Sequence, residues 1–106
     1  MEADDLIKIL SAYYKDKVEK EIYNDLYAGM MHLLEAEADC RRAKAKADIM
    51  QMAKLKIALS KFEYSYNKLK QDTGNIEAID KYIKGIEFQI KLISAKKNHD
   101  SINKIV

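Results

Sequence analysis

Residues 59–86 read LSKFEYSYNKLKQDTGNIEAIDKYIKGI, and the chain turns back in the middle of them. In Asp72-Thr73-Gly74-Asn75, Gly74 can end one helix in the left-handed conformation and Asn75 can cap the start of the next. Before the turn, Met52, Leu55, Leu59, Phe62, Tyr66 and Leu69 recur at intervals of 3,4,3,4,3. After it, Ile76, Ile79, Ile83, Ile86, Ile90 and Ile93 repeat in the same way. Two helical apolar stripes joined by a short turn predict an antiparallel helical hairpin.

Upstream, Ile22, Leu26, Gly29, Leu33, Ala36, Cys40, Ala43, Ala47, Met50, Ala53 and Ile57 follow a coiled-coil-like 4,3 spacing, with one three-residue step near Met50. Gly29 is the one breaker inside this run, and a single glycine costs a helix only about 1 kcal/mol. The spacing predicts one continuous helix over 20–71, roughly 75 Å long; a break near Asp39-Cys40-Arg41-Arg42 is the alternative. Asp4 or Asp5 can cap a first helix over 4–18, in which Ile7, Leu10 and Tyr14 share a face; a turn at the polar Lys15-Asp16-Lys17 is the alternative. A last helix over 76–97 and a polar tail over 98–106 complete the expectation. The fold class is all-α: a long central helix in a hairpin or bundle, one domain spanning 1–106.

Composition excludes the main alternatives. With 48% apolar and 34% charged residues, no proline and three glycines, the chain is neither disordered, collagenous nor all-β. No apolar run approaches the ~18 residues that span a bilayer, and the opening Met1-Glu2-Ala3-Asp4-Asp5 is acidic where a secretory signal is basic and then apolar. A soluble, cytoplasmic protein without membrane contact is expected. Cys40 is the single cysteine, which rules out an internal disulfide framework and suits a reducing compartment.

Helix lengths point to a partner. A last helix of about 33 Å and a first of about 24 Å cannot shield a central helix of about 75 Å, so a second copy or a larger protein is expected on the seam. The candidate association seam is Ile22, Leu26, Gly29, Leu33, Ala36, Cys40, Ala43, Ala47 and Met50. Its small residues let two helices approach closely; a thin internal core explains them equally well. Charge is uneven along the chain. Residues 1–53 hold 8 Lys/Arg against 11 Asp/Glu, and residues 54–106 hold 11 against 6. That asymmetry suits pairing of unlike halves between subunits as well as an anionic ligand.

Arg41, Arg42, Lys44 and Lys46, continued by Lys54, Lys61 and Lys68 at seven-residue intervals, form a candidate nucleic-acid stripe that could follow a phosphate backbone. A solvated face paired with Glu35, Glu37, Asp39 or Asp48 is the plainer reading. His32, Glu35 and Asp39 share a helix face but make half of a bundle metal site at most, so no metal or cofactor is expected. Without a glycine-rich phosphate loop, and with Ser60, Ser65 and Ser94 inside helical stripes, no enzyme is expected either. In helical texture, though through no shared motif, Ile22 to Leu69 resembles small phage and plasmid accessory proteins and helical subunits of archaeal replication complexes. The expected function is a non-enzymatic helical interaction module (adaptor, scaffold or steric inhibitor) that self-associates as a homodimer or other homo-oligomer. A small nucleic-acid-associated protein is the alternative.

Overall fold

A computed structural model describes residues 3–43 and 49–105, with side chains over 4–43 and 49–95. The described residues form four helices: α1 (Ala3–Tyr14), α2 (Lys20–Ala43), α3 (Ile49–Thr73) and α4 (Glu77–Ile105). No strand occurs among them. The molecule is elongated, 57 × 24 × 21 Å.

The continuous helix expected over 20–71 is instead two helices, α2 and α3, packed side by side. Gly29 meets Phe62, and Cys40 Sγ lies 3.5 Å from the Gln51 carbonyl oxygen. Eleven residues forward on α2 correspond to eleven backward on α3, so the two are antiparallel. The physical reason is burial. Folding back places Leu55, Leu59, Phe62, Tyr66 and Leu69 in the core with Leu26, Leu33 and Cys40. Each large apolar side chain so buried is worth about 1.5–3 kcal/mol, whereas each helical hydrogen bond given up at a break is worth about 1 kcal/mol. Regular 4,3 spacing on both sides of 44–48 hides the break from a periodicity argument.

The hairpin expected at residues 72–75 is present. Gly74 has φ +81° and its N–H donates to the Lys70 carbonyl at 2.9 Å, while Thr73 Oγ1 donates to the Leu69 carbonyl at 2.8 Å. Tyr66 lies within hydrogen-bond reach of Asp80, and Ser94 Oγ is 3.1 Å from Met52 Sδ. Fourteen residues back on α3 match fourteen forward on α4, again antiparallel. Asn75 does not cap α4 as expected. Its amide donates to Asp80 Oδ2 at 2.6 Å, and the buried Tyr66 hydroxyl accepts the Ile76 N–H at 2.7 Å. The stripe Ile76, Ile79, Ile83 and Ile86 is buried as the spacing predicts. The tail expected from residue 98 continues as helix to Ile105.

The first helix stops at Tyr14 rather than 18. Asp16 takes φ +64°, a conformation Asp tolerates better than most residues, and Lys17 Nζ donates to the Ala12 carbonyl at 3.0 Å. Leu6, Leu10 and Tyr14 are buried, and the Ser11 and Tyr23 hydroxyls share a 3.0 Å hydrogen bond. α1 therefore closes the end of the bundle where α3 turns into α4.

Candidate functional site: two rows on the outer face of the α2–α3 hairpin

The predicted association seam lies mostly inside the chain. Leu26, Leu33 and Cys40 are fully buried, and Gly29, Ala36 and Ala43 line the close approach of α2 to α3. A Cβ built on Gly29 would sit 3.6 Å from the Phe62 Cα, which is why the middle of the seam is small. Ile22 and Met50, at its two ends, are exposed. Ala47 lies outside the described residues. The expectation that a 75 Å helix must find a second chain loses its premise, because α3 covers α2.

What remains uncovered is a different face. Met50, Ile57 and Tyr64 repeat every seven residues along α3 and are 65%, 57% and 66% exposed. Lys54, Lys61 and Lys68, all exposed, alternate with them. Together they form one ridge of apolar and basic side chains at 4,3,4,3,4 spacing, on the side of α3 away from α4. Beside it, α2 carries Asp25, Ala28, His32, Glu35 and Asp39 at 3,4,3,4 spacing. The two rows share a groove: His32, Glu35 and Asp39 line it from α2, with Lys54, Ile57 and Lys61 from α3. Among the described residues, ion pairs join Glu37 to Arg41, Asp39 to Arg42 and Glu77 to Lys81, each within one helix. None crosses from the acidic row to the basic one. Lys68 Nζ instead stands 4.2 Å from the centroid of the Tyr64 ring, and this cation lowers the Tyr64 phenol from its ordinary pKa.

The predicted basic stripe is divided. Lys54, Lys61 and Lys68 belong to the outer ridge of α3. Arg41 and Arg42 lie at the far end of α2, occupied by Glu37 and Asp39. Lys44 and Lys46 lie outside the described residues. An acidic row one helix away opposes a phosphate backbone laid along the α3 lysines. His32, Glu35 and Asp39 do share a groove, but two lysines share it with them, and among the described residues no three such side chains are placed so that they could hold a metal ion.

A second groove runs between α2 and α4 beyond α1, lined by Glu37, Tyr82, Gly85 and Gln89. The Tyr82 hydroxyl is buried there without a hydrogen-bond partner, and burial, with Glu37 nearby, pushes its pKa well up. Phe88 and Leu92 are exposed on α4. The alternating ridge on α3 was legible in the sequence as lysines every seven residues. Of its apolar members Tyr64 stands beside those lysines in the sequence, whereas Met50 and Ile57 also fit the 4,3 spacing of the seam, which hides them. No helix among the described residues is long and apolar enough to cross a membrane. Comparison with family models, curated proteins and solved structures finds no match to this chain.

Proposed function

We propose that the protein is a non-enzymatic helical interaction module, an adaptor, scaffold or steric inhibitor, that presents the outer face of the α2–α3 hairpin to a helical partner. One observation carries the reading. α3 already buries a complete apolar stripe from Leu55 to Leu69, yet it bears a second apolar row, Met50, Ile57 and Tyr64, facing water. Leaving that row exposed forgoes about 25 cal/mol per Å² that burial against a partner supplies. Its seven-residue repeat is the period at which one helix lies along another. The alternating lysines contribute apolar stems at the rim and charge that selects an acidic counterpart. The competing reading, a nucleic-acid-associated protein, draws on Lys54, Lys61 and Lys68 but must place phosphates beside Asp25, Glu35 and Asp39.

The test is the double variant Ile57→Asp with Tyr64→Asp. Both side chains are exposed, so the helix content of the folded chain should stay at its wild-type value. Whatever wild type binds, another copy or a foreign helical protein recovered in stoichiometric amount, should be lost. Retention of every wild-type complex by the folded variant overturns the docking face. Retardation of DNA or RNA at low salt, abolished by neutralising the three lysines, would move the assignment to nucleic acid.

A further inference from the structure

From the two rows of opposite charge on this face we infer that its occupant is a second copy of the chain, related by a two-fold axis parallel to the helices. The inference rests on the docking-face reading above and adds the identity of the partner. Turning a second copy about such an axis lays α3 of each protomer on α2 of the other, antiparallel and at the same height. The register set by Gly29 against Phe62 gives those heights. Lys54 is level with a point between Glu35 and Asp39 of the partner subunit. Lys68 is level with a point between Glu21 and Asp25 of the partner subunit. Lys61 and Tyr64 flank the level of Ala28 of the partner subunit, where a small side chain leaves room for the tyrosine ring.

The other two-fold arrangement, with the axis across the helices, sets lysines against lysines and carboxylates against carboxylates. Charge therefore selects one symmetry as well as one occupant. The lysines are available for this pairing, since among the described residues none of the three forms an ion pair within the chain. The area is also sufficient. α2 and α3 run together for about 35 Å at 1.5 Å per residue, and two helices about 9 Å apart present a face roughly 18 Å wide. That is on the order of 600 Å² per protomer and 1,200 Å² in all, at the lower edge of stable interfaces. The groove between α2 and α4 lacks this complementarity: its charged lining residues are Glu37 and Lys81, and each is already paired within its own helix, with Arg41 and Glu77.

A charge-swap series tests the inference, with molar mass read by light scattering between about 10 and 200 μM, a range that spans micromolar dissociation constants. Wild type is expected at twice its 12.3 kDa, with a dissociation constant rising at least tenfold between 50 mM and 500 mM salt. Lys54→Glu with Lys68→Glu should be a folded monomer, as should Asp25→Lys with Glu35→Lys. An equimolar mixture of these two variants should form a heterodimer, and one chain carrying all four changes should dimerise again. Circular dichroism confirms that each variant is folded, and Ile57→Asp gives an independent route to the monomer through the apolar part of the ridge, with both charged rows unchanged. A monomeric wild type at 200 μM overturns the inference, whether a foreign helix or nucleic acid then proves to occupy the face. So does a dimer indifferent to both charge pairs, or a four-fold swap that stays monomeric. A monomeric wild type that still loses a foreign partner on Ile57→Asp leaves the docking face standing and removes only the second copy.

Discussion

Gly29 on α2 lies against the backbone of Phe62 on α3, at a distance where an added Cβ would make an ordinary 3.6 Å contact with the Phe62 Cα. The crossing thus has room for one added carbon at Gly29. Gly29→Ala should be neutral or stabilise by up to about 1 kcal/mol, since alanine also favours the helix. Gly29→Leu should destabilise by about 1–3 kcal/mol through overpacking. Urea unfolding followed at 222 nm separates the two, and equal destabilisation by both would contradict the geometry.

The same contact explains how far periodicity could be followed. The all-helical class, the hairpin at Gly74 and the isoleucine stripe of α4 were readable because spacing and punctuation agreed. The break between Ala43 and Ile49 was not. The stripe from Ile22 to Cys40 continues at 4,3 spacing to Met50 and Ile57, so the run reads as one helix, although Leu55 to Leu69, on a neighbouring face of that run, pack back against its first half. Only the tertiary gain of pairing Leu26, Leu33 and Cys40 with Leu55 and Phe62 decides the matter. The outer ridge was half legible: Lys54, Lys61 and Lys68 stood out, whereas Met50 and Ile57 were assigned to the seam.

The Tyr66 hydroxyl, buried between α3 and α4, accepts the Ile76 N–H at 2.7 Å and lies 3.1 Å from Asp80 Oδ1, to which it donates. It satisfies the backbone N–H at the entry to α4, where the Asn75 side chain is turned to Asp80. Tyr66→Phe leaves a buried backbone donor without an acceptor and should cost about 1–3 kcal/mol. Asn75→Ala, which removes an exposed contact to Asp80, should cost under about 1 kcal/mol. The reverse order in chemical denaturation would return the capping role to Asn75.

Burial also raises the phenols of Tyr14, Tyr66 and Tyr82; for Tyr66 the pKa is pushed up to about 12. A phenol raised in the folded state stays protonated where the unfolded chain, near 10, already ionises. The stabilisation is complete below pH 10 and is lost as pH climbs from 10 through 12. The free energy of unfolding should therefore be flat with respect to these groups up to pH 9 and fall steeply above 10. Tyr66→Phe should show a shallower fall. A parallel decline in that variant would assign the alkaline loss to other groups.

Cys40 is 2% exposed and its Sγ is directed at the Gln51 carbonyl oxygen. A thiol in that position is shielded by the hairpin rather than presented to a second subunit. Its reaction with a water-soluble disulfide reagent should be slow in the native protein, accelerate at least a hundredfold in denaturant, and yield no crosslinked dimer under mild oxidation. Rapid native crosslinking would place Cys40 at an intersubunit axis instead.

Leu33 and Ile57 separate the two faces of the hairpin most sharply. Leu33 is fully buried at the α2–α3 contact, whereas Ile57 is 57% exposed on the outer ridge. Leu33→Asp buries a carboxylate with no partner, at a cost of several kcal/mol, comparable to the whole stability of a domain this size. It should unfold the monomer, visible as loss of helical circular dichroism. Ile57→Asp should change stability by no more than about 0.5 kcal/mol and act on association alone. A folded, monomeric Leu33→Asp would return the seam to an interface between subunits, because only a side chain that faces a second chain can be charged without cost to its own fold.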